Sequence, residues 1–128
     1  MSEQAEKTRL WAVRGAVQAQ RNDAAAIRSA TEDLLNELIA RNDLEAEAMV
    51  SCIFTCTDDL DAGFPAEAAR DLGLDAVPLL CAREIPVPGS MERVIRALVH
   101  YYGPESRAPV HTYLGEAQGL RADLHAAQ

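Results

Sequence analysis

The amino-acid sequence predicts a single domain of the α/β or α+β class. Its 128 residues are the usual length of one domain. Segments typical of strands alternate along the chain with segments typical of helices. No internal repeat or low-complexity linker interrupts this alternation. The hydrophobic content of 48% is normal for a folded domain, so we expect one hydrophobic core between the sheet and its helices.

The first half of the chain predicts two strands with a long helix between them. Residues 9–15 (RLWAVRG) predict the first strand. Residues 22–41 predict the helix, because apolar residues recur at helical spacing and either Asn22 or Asp23 can cap its start. Residues 47–57 (EAMVSCIFTCT) are β-branched and apolar, which indicates the second strand.

The second half predicts two more strands and two more helices. Residues 65–72 predict a short helix that begins with a proline. Residues 76–84 predict a third strand, and residues 109–115 predict the last one. Residues 90–102 predict a helix, because apolar positions recur there at intervals of three and four residues. Those positions are Met91, Val94, Ile95, Leu98, Val99 and Tyr102.

The net charge of the chain limits the kinds of molecule that it is expected to bind. A formal net charge of −8 argues against nucleic acid, which is bound by basic surfaces. An anionic ligand would have to be held locally by individual arginines, which are eleven of the twelve basic residues. No segment approaches the ~20 apolar residues of a membrane helix, so no membrane partner is expected. The N-terminal segment MSEQAEKTRL does not resemble a signal peptide, and we expect a cytoplasmic protein.

The three cysteines, Cys52, Cys56 and Cys81, are expected to be free thiols within strands. Cys52 and Cys56 are close in sequence, but no second pair of cysteines or histidines lies near enough to complete a zinc site. We therefore expect no metal and no other cofactor.

Charged side chains stand at the ends of two predicted strands. Arg14 ends the first strand, where it either points into solvent or binds an anion at the rim of the sheet. Glu84 ends a strand that looks buried, where a carboxylate is costly unless it has a partner. Alternation along that strand places Glu84 and Cys81 on opposite faces.

Arg96 follows Glu92 by four residues in the predicted helix, which is the spacing of an ordinary surface ion pair. On a helical wheel Arg96 lies on the flank of the apolar stripe, from where it can also reach into a pocket. His111 and Tyr113 share one face of the last strand, as packing residues or as site residues. Spacing alone leaves these alternatives open.

The standard catalytic motifs are missing from the sequence. It contains no glycine-rich phosphate loop, no Gly-x-Ser-x-Gly and no His-Glu-x-x-His. An enzyme built from these residues would have to work by positioning its substrate and by placing charge.

Five motifs occur in order along the chain. They are VRGA (13–16), TDDLDAGFPAEAARDLG (57–73), VPLLCAREIPVPGSMERVIR (77–96), HTYL (111–114) and LRADL (120–124). In this order and at these intervals they resemble the AroH-type chorismate mutases, a family of small trimeric α/β enzymes. The resemblance implies a mixed β-sheet with packed helices, in a homotrimer that forms a pseudo-α/β-barrel. It also implies a flexible extension over 1–8, a chorismate mutase-like domain over 9–119 and a mobile tail over 120–128.

The resemblance also implies the residues of an active site that lies between subunits. Arg14 and Tyr113 would bind a carboxylate of chorismate. Arg96 would lie against the ether oxygen, and Glu84 would face the ring hydroxyl. The remaining implied contacts are the backbone of Cys81, the apolar residues Phe64, Ala66, Leu79 and Leu80, Arg70 at the mouth, and Leu120 and Arg121 on the tail.

The implied reaction is the unimolecular pericyclic rearrangement of chorismate to prephenate, in phenylalanine and tyrosine biosynthesis. It needs no nucleophile, proton transfer or cofactor. It needs the folded conformer of chorismate, held by its two carboxylates, and positive charge where the breaking C–O bond makes oxygen more negative.

Two residues depart from the family's pattern. Glu67 stands where the family often has lysine, and Leu80 where a threonine is common. They motivate a first alternative, in which the same fold acts on a chorismate-like substrate in a specialised pathway. A second alternative is a non-catalytic trimeric module that binds a small molecule. The combination of Arg14, Arg96, Glu84 and Tyr113 argues against it.

Overall fold

The computed structural model describes residues 6–120. Two helices and five strands form a single domain. In chain order they are β1 (Thr8–Gln18), α1 (Ala24–Asn42), β2 (Met49–Cys56), α2 (Pro65–Asp71), β3 (Leu79–Arg83), β4 (Val94–Pro104) and β5 (Thr112–Tyr113).

The five strands form one mixed sheet in the order β3-β2-β4-β1-β5. The central strand β4 pairs antiparallel with both β1 and β2. The outer strands β3 and β5 run parallel to their neighbours, β2 and β1. The predicted single domain with helices packed on a mixed sheet is therefore confirmed.

The segment predicted as a helix over 90–102 is a strand, so that prediction was wrong. β4 lies at the centre of the sheet and carries apolar side chains on both faces. Ile95 and Val99 are buried toward the helices, while Leu98 is half-buried on the other face. A central strand of this kind loses its simple alternation, and its apolar positions then also match helical spacing.

Two details at the start of the chain also differ from the sequence prediction or refine it. β1 continues past Gly15 to Gln18, so Arg14 lies inside the strand and not at its end. Of the two proposed caps of α1, Asp23 is the one used: its Oδ1 accepts a hydrogen bond of 2.7 Å from the backbone N–H of Ala26.

Gly15 is required by the packing around β1. A Cβ atom at this position would collide with the carbonyl oxygen of Thr112 on β5 and would lie 2.9 Å from Leu34 Cδ1 on α1. The glycine of the VRGA motif thus lets a strand and a helix approach β1 closely.

The two faces of the sheet differ. Both helices pack on one face, where Phe54, Val13 and Val99 form the core with the apolar stripe of α1. Neither helix covers the other face, which we call the open face. Leu80 on this face is 59% exposed and Tyr102 is 54% exposed. Among the described residues, no helix is long and apolar enough to cross a membrane.

Candidate active site

An ion pair lies on the open face, where β2, β3 and β4 adjoin. Arg96 Nε donates a hydrogen bond of 2.8 Å to Glu84 Oε2. Thr55 Oγ1 donates a second hydrogen bond, of 2.6 Å, to the same oxygen. The Glu84 side chain is only 15% exposed, whereas that of Arg96 is 40% exposed. The carboxylate is therefore held from one side, and the guanidinium reaches toward solvent.

The strand ladder fixes these three residues. Thr55 lies directly opposite Arg96 in the antiparallel pairing of β2 with β4. Glu84 follows the last residue of β3, and its backbone N–H donates a hydrogen bond of 2.8 Å to the carbonyl of Cys56. The pair is thus built on rigid elements of the sheet.

The start of β4 is held by a residue in a left-handed conformation, Arg93, whose φ is 53°. Its backbone N–H lies 3.1 and 3.0 Å from the two carboxylate oxygens of Asp59. Its Nε donates a hydrogen bond of 2.9 Å to the carbonyl of Ala19. These contacts fix where β4 begins and so fix the position of Arg96.

Arg14 and Tyr113 lie beside the ion pair. Arg96 and Arg14, with Tyr113 and Thr55, line a cavity of about 300 Å³ on the open face. Tyr113 on β5 is buried and is paired in register with Ala16 of β1. The sequence-predicted residues Arg14, Arg96, Glu84 and Tyr113 are therefore brought together.

The Arg14 side chain has an unused donor. Its Nε is buried and has no hydrogen-bond partner within the described part of the chain. A buried donor without a partner is costly, and an anion in the cavity would satisfy it. The backbone N–H of Arg14 donates a hydrogen bond of 3.2 Å to His111 Nδ1, so His111 supports the strand from outside the cavity.

A second group of predicted site residues lies away from this cavity. Phe64, which is 65% exposed at the start of α2, shares a cavity of about 360 Å³ with Cys81 on β3. The Cys81 side chain packs against the core under the helices, opposite to Glu84 as alternation predicted. We call the residues around Arg14, Arg96, Glu84 and Tyr113 the sheet-face set. The helix-side set is Phe64, Ala66, Arg70, Leu79 and Cys81.

The other members of the helix-side set surround Phe64 and Cys81. Ala66 is buried and Arg70 is exposed, both on α2. Leu79 is half-buried against the core at the first position of β3. Leu80, the next residue, points to the open face, at the edge of the sheet away from β5. In one chain, the cavity shared by Phe64 and Cys81 is separate from the cavity lined by Arg14 and Arg96.

Leu120 lies next to the sheet-face set. It is half-buried against a small cluster that contains Tyr113, Ala16, Val94 and Ala117. Arg121 lies outside the described residues.

The thiols facing the core differ in exposure. Cys52 and Cys56 are buried, and Cys81 is partly exposed. Burial raises the pKa of Cys52 to about 12, and the nearby Cys81 makes a smaller contribution in the same direction. Burial raises the pKa of Cys56 to about 11, with further contributions from Cys81, Glu84 and Asp59. No group of three or more possible metal ligands occurs among residues 6–120.

The structure decides one alternative that the sequence left open and adds one residue. Glu92 pairs with Arg93 at 3.0 Å, and Arg96 pairs with Glu84, so Arg96 is not the helical surface partner of Glu92. Thr55 was missed by the sequence analysis. The one feature of the sequence that could have indicated a role for Thr55 is its position on β2, where alternation places it on the face opposite the buried Phe54.

The fold brings two arginines to one cavity, with an oriented carboxylate bonded to one of them, and this arrangement suits a small anion. The sequence model of the family described as chorismate mutase type I matches residues 10–124. The chain belongs to this family of isomerases.

Individual relatives agree with that assignment. Chorismate mutase AroH of Thermus thermophilus is 46% identical over 119 residues, which cover 91% of this chain and 97% of the relative. Chorismate mutase AroH of Bacillus subtilis (strain 168) is 33% identical over 114 residues, covering 88% and 90%. A solved structure of a chorismate mutase from Clostridium thermocellum matches with a TM-score of 0.82 and 43% identity, over 85% of this chain and 98% of that one.

Proposed function

We propose that the protein catalyses the rearrangement of chorismate to prephenate at the sheet-face set. In this reaction one C–O bond breaks and one C–C bond forms within a single molecule, and no proton is transferred. The observation that carries the proposal is the convergence of Arg14 and Arg96 on one cavity, with Glu84 hydrogen-bonded to Arg96 beside it. Two fixed cations suit a substrate with two carboxylates and an ether oxygen.

Each charged residue has a distinct role in this proposal. Arg14 binds a carboxylate through the donor that is otherwise unused, together with the hydroxyl of Tyr113. Glu84 accepts a hydrogen bond from the ring hydroxyl, beside the backbone of Cys81. Together these contacts select the folded conformer of chorismate, so that the reacting carbons are already close.

Arg96 acts on the bond that breaks. The ether oxygen gains negative charge in the transition state, and a guanidinium held in place by the sheet stabilises that charge without reorganisation. Arg96 Nε already bonds to Glu84, which leaves its two terminal nitrogens for the ether oxygen. This interaction is stronger in the transition state than in bound chorismate, so it raises turnover.

We propose that the active protein is a homotrimer, arranged as a pseudo-α/β-barrel, and that each site lies between two subunits. The proposal is supported by the separation of the two sets of site residues in one chain. It is also supported by the open face, on which large apolar side chains such as Leu10, Leu80 and Tyr102 remain exposed. In the trimer, the helix-side set of one subunit would complete the cavity of the next.

The C-terminal residues 120–128 would cover the occupied site. Leu120 already packs against the cluster that contains Tyr113, which supports this role. We propose that Arg121 adds a positive charge when substrate is bound. Arg70 would stand at the mouth, and Phe64, Ala66, Leu79 and Leu80 would form the apolar wall.

The unusual Glu67 is compatible with an anionic substrate. Its carboxylate pairs with Arg28 of α1 at 3.2 Å, and Arg28 also pairs with Asp71 at 3.3 Å. The negative charge of Glu67 is thus directed toward α1 and partly balanced there.

We propose a role in phenylalanine and tyrosine biosynthesis, in the cytoplasm. A reducing compartment suits three neighbouring thiols that form no disulfide.

The loss of chorismate absorbance tests the activity. Purified protein should accelerate the reaction by roughly 10⁶-fold or more over the uncatalysed rate. The Arg14→Ala variant serves as the control, because it removes the proposed carboxylate contact and should lose most of the acceleration while circular dichroism checks that it is folded. Folded wild-type protein that leaves chorismate unchanged would refute the proposal and favour a binding module.

A further inference from the structure

We propose that Thr55 is a positioning residue, which keeps the Glu84–Arg96 pair in a single-contact geometry that leaves both partners free for substrate. The proposal deepens the function proposed above and rests on it for its catalytic consequence. Thr55 was not among the predicted site residues, and it lines the same cavity as Arg14 and Arg96.

The contact between Arg96 and Glu84 is unusual for its type. An arginine and a carboxylate that meet freely tend to form two parallel hydrogen bonds, which occupy both carboxylate oxygens and two guanidinium nitrogens. Here Arg96 Nε alone bonds to Glu84, and only Oε2 accepts. Within the described residues, no hydrogen bond to Oε1 is formed.

Thr55 explains this geometry. Its hydroxyl donates a hydrogen bond of 2.6 Å to Oε2, the oxygen that Arg96 also uses. Two donors on one oxygen hold the carboxylate in one rotation, because turning it toward a two-bond contact with Arg96 would break the bond to Thr55. The threonine is itself fixed, since it lies within β2 directly opposite Arg96.

In the single-contact geometry, some atoms of the pair hold it together and the others remain available to substrate. Oε2 of Glu84 accepts the hydrogen bonds from Thr55 and Arg96, and Oε1 stays available as an acceptor for a substrate hydroxyl. Nε of Arg96 donates its hydrogen bond to Glu84, and the two terminal nitrogens stay available for the ether oxygen, which becomes more negative in the transition state. Without the Thr55 hydroxyl, Arg96 and Glu84 would form two hydrogen bonds with each other, and fewer of their donors and acceptors would be available to the substrate.

The experiment compares Thr55→Val, which removes the hydroxyl at nearly constant volume, with Thr55→Ser, which keeps it. Thr55→Val should lower kcat about tenfold or more, the effect of losing a hydrogen bond to a charged group. KM should change less, and Thr55→Ser should stay within about twofold of wild type by the same reasoning. Should Thr55→Val not fold, Thr55→Ala replaces it in the same comparison.

Ser51→Ala is the matched control. Ser51 lies on the same strand and face as Thr55, and its hydroxyl is hydrogen-bonded to His100 Nδ1 at 3.1 Å, away from the pair. It should leave kcat unchanged. Equal effects of Ser51→Ala and Thr55→Val would overturn the proposal, and so would a Thr55→Ser variant as slow as Thr55→Val.

A double-mutant cycle separates positioning from general damage. In a Glu84→Ala background, Thr55→Val should cause no further loss of kcat, because Thr55 acts through Glu84. A further tenfold loss in that background would contradict the proposal.

The crystal structure of Thr55→Val gives a readout that does not depend on activity. It should show two parallel hydrogen bonds between Arg96 and Glu84, one of them to Oε1. A pair that keeps its single contact would refute the positioning role even if chorismate turnover is confirmed. Conversely, a wild-type protein without turnover would refute only the proposed function, and the geometry of the pair would still decide the role of Thr55.

Discussion

Arg96 and Thr55 lie directly opposite each other on adjacent antiparallel strands, and both donate hydrogen bonds to the same oxygen of Glu84. Arg96, the cation proposed to stabilise the transition state, therefore lies on the central strand of the sheet and not on a loop. Such a placement keeps the donor oriented before substrate arrives, which is the condition for electrostatic catalysis.

Arg96→Ala should lower kcat by roughly 10²- to 10³-fold, about 3–4 kcal/mol of barrier, as expected for the loss of one preorganised donor. KM should change less, because the interaction is weaker in the ground state. Steady-state kinetics on chorismate would measure both. Glu92→Ala is the control, since Glu92 pairs with Arg93 on the surface. Small, equal effects of the two substitutions would contradict the mechanism.

Light scattering should give the mass of a trimer for the purified protein. A monomer with full activity would rule out a site between subunits.

Mixing two inactive variants should restore activity if each site combines two chains. Arg96→Ala damages the sheet-face set, and Phe64→Asp damages the helix-side set. Unfolded together in equal amounts and refolded, they should regain about a quarter of wild-type activity, because one site in four would receive both intact sets. Arg96→Ala mixed with Arg14→Ala should regain none, since both changes lie in one set. Trimers of the first mixture that stay inactive would place the whole site within one chain.

Turnover should depend little on pH between about 6 and 9, because the rearrangement transfers no proton. Measuring kcat at constant ionic strength checks the expectation. A bell-shaped profile centred near pH 7 would indicate acid–base catalysis instead.

Gly15→Ala should lower the free energy of unfolding by about 1–3 kcal/mol, the usual cost of overpacking. The added methyl group would collide with the Thr112 carbonyl and press on Leu34. Gly63→Ala is the control, because a Cβ there would meet only Ala24, at an ordinary 3.6 Å. Denaturant unfolding measures both, and equal stabilities would show that β5 can move away from β1.

Iodoacetamide at pH 8 should label Cys81 well before Cys52 and Cys56. The raised pKa values, about 12 for Cys52 and about 11 for Cys56, keep these two thiols protonated at that pH, and only the thiolate reacts. Mass spectrometry of native and unfolded protein would assign the sites. Equal labelling of all three in the native protein would be inconsistent with the burial of the other two.

The predictions from sequence succeeded where one face of an element is buried. The stripe of α1 and the proline at the start of α2 are local signals, and both helices form where they were predicted. The helix prediction for β4 was wrong because a central strand is apolar on both faces, and that error made Glu92 an alternative partner for Arg96. Thr55 could not be found from sequence, because its role depends on which strand lies opposite β2.

The loop over residues 85–90 joins the two halves of the ion pair but takes no part in holding them. Glu84 is fixed by the backbone of β2, and Arg96 by the ladder and by the contacts of Arg93. Ile85 and Val87 in this loop are largely exposed. Evolution can therefore change the length and sequence of the loop while the distance between the carboxylate and the guanidinium stays the same.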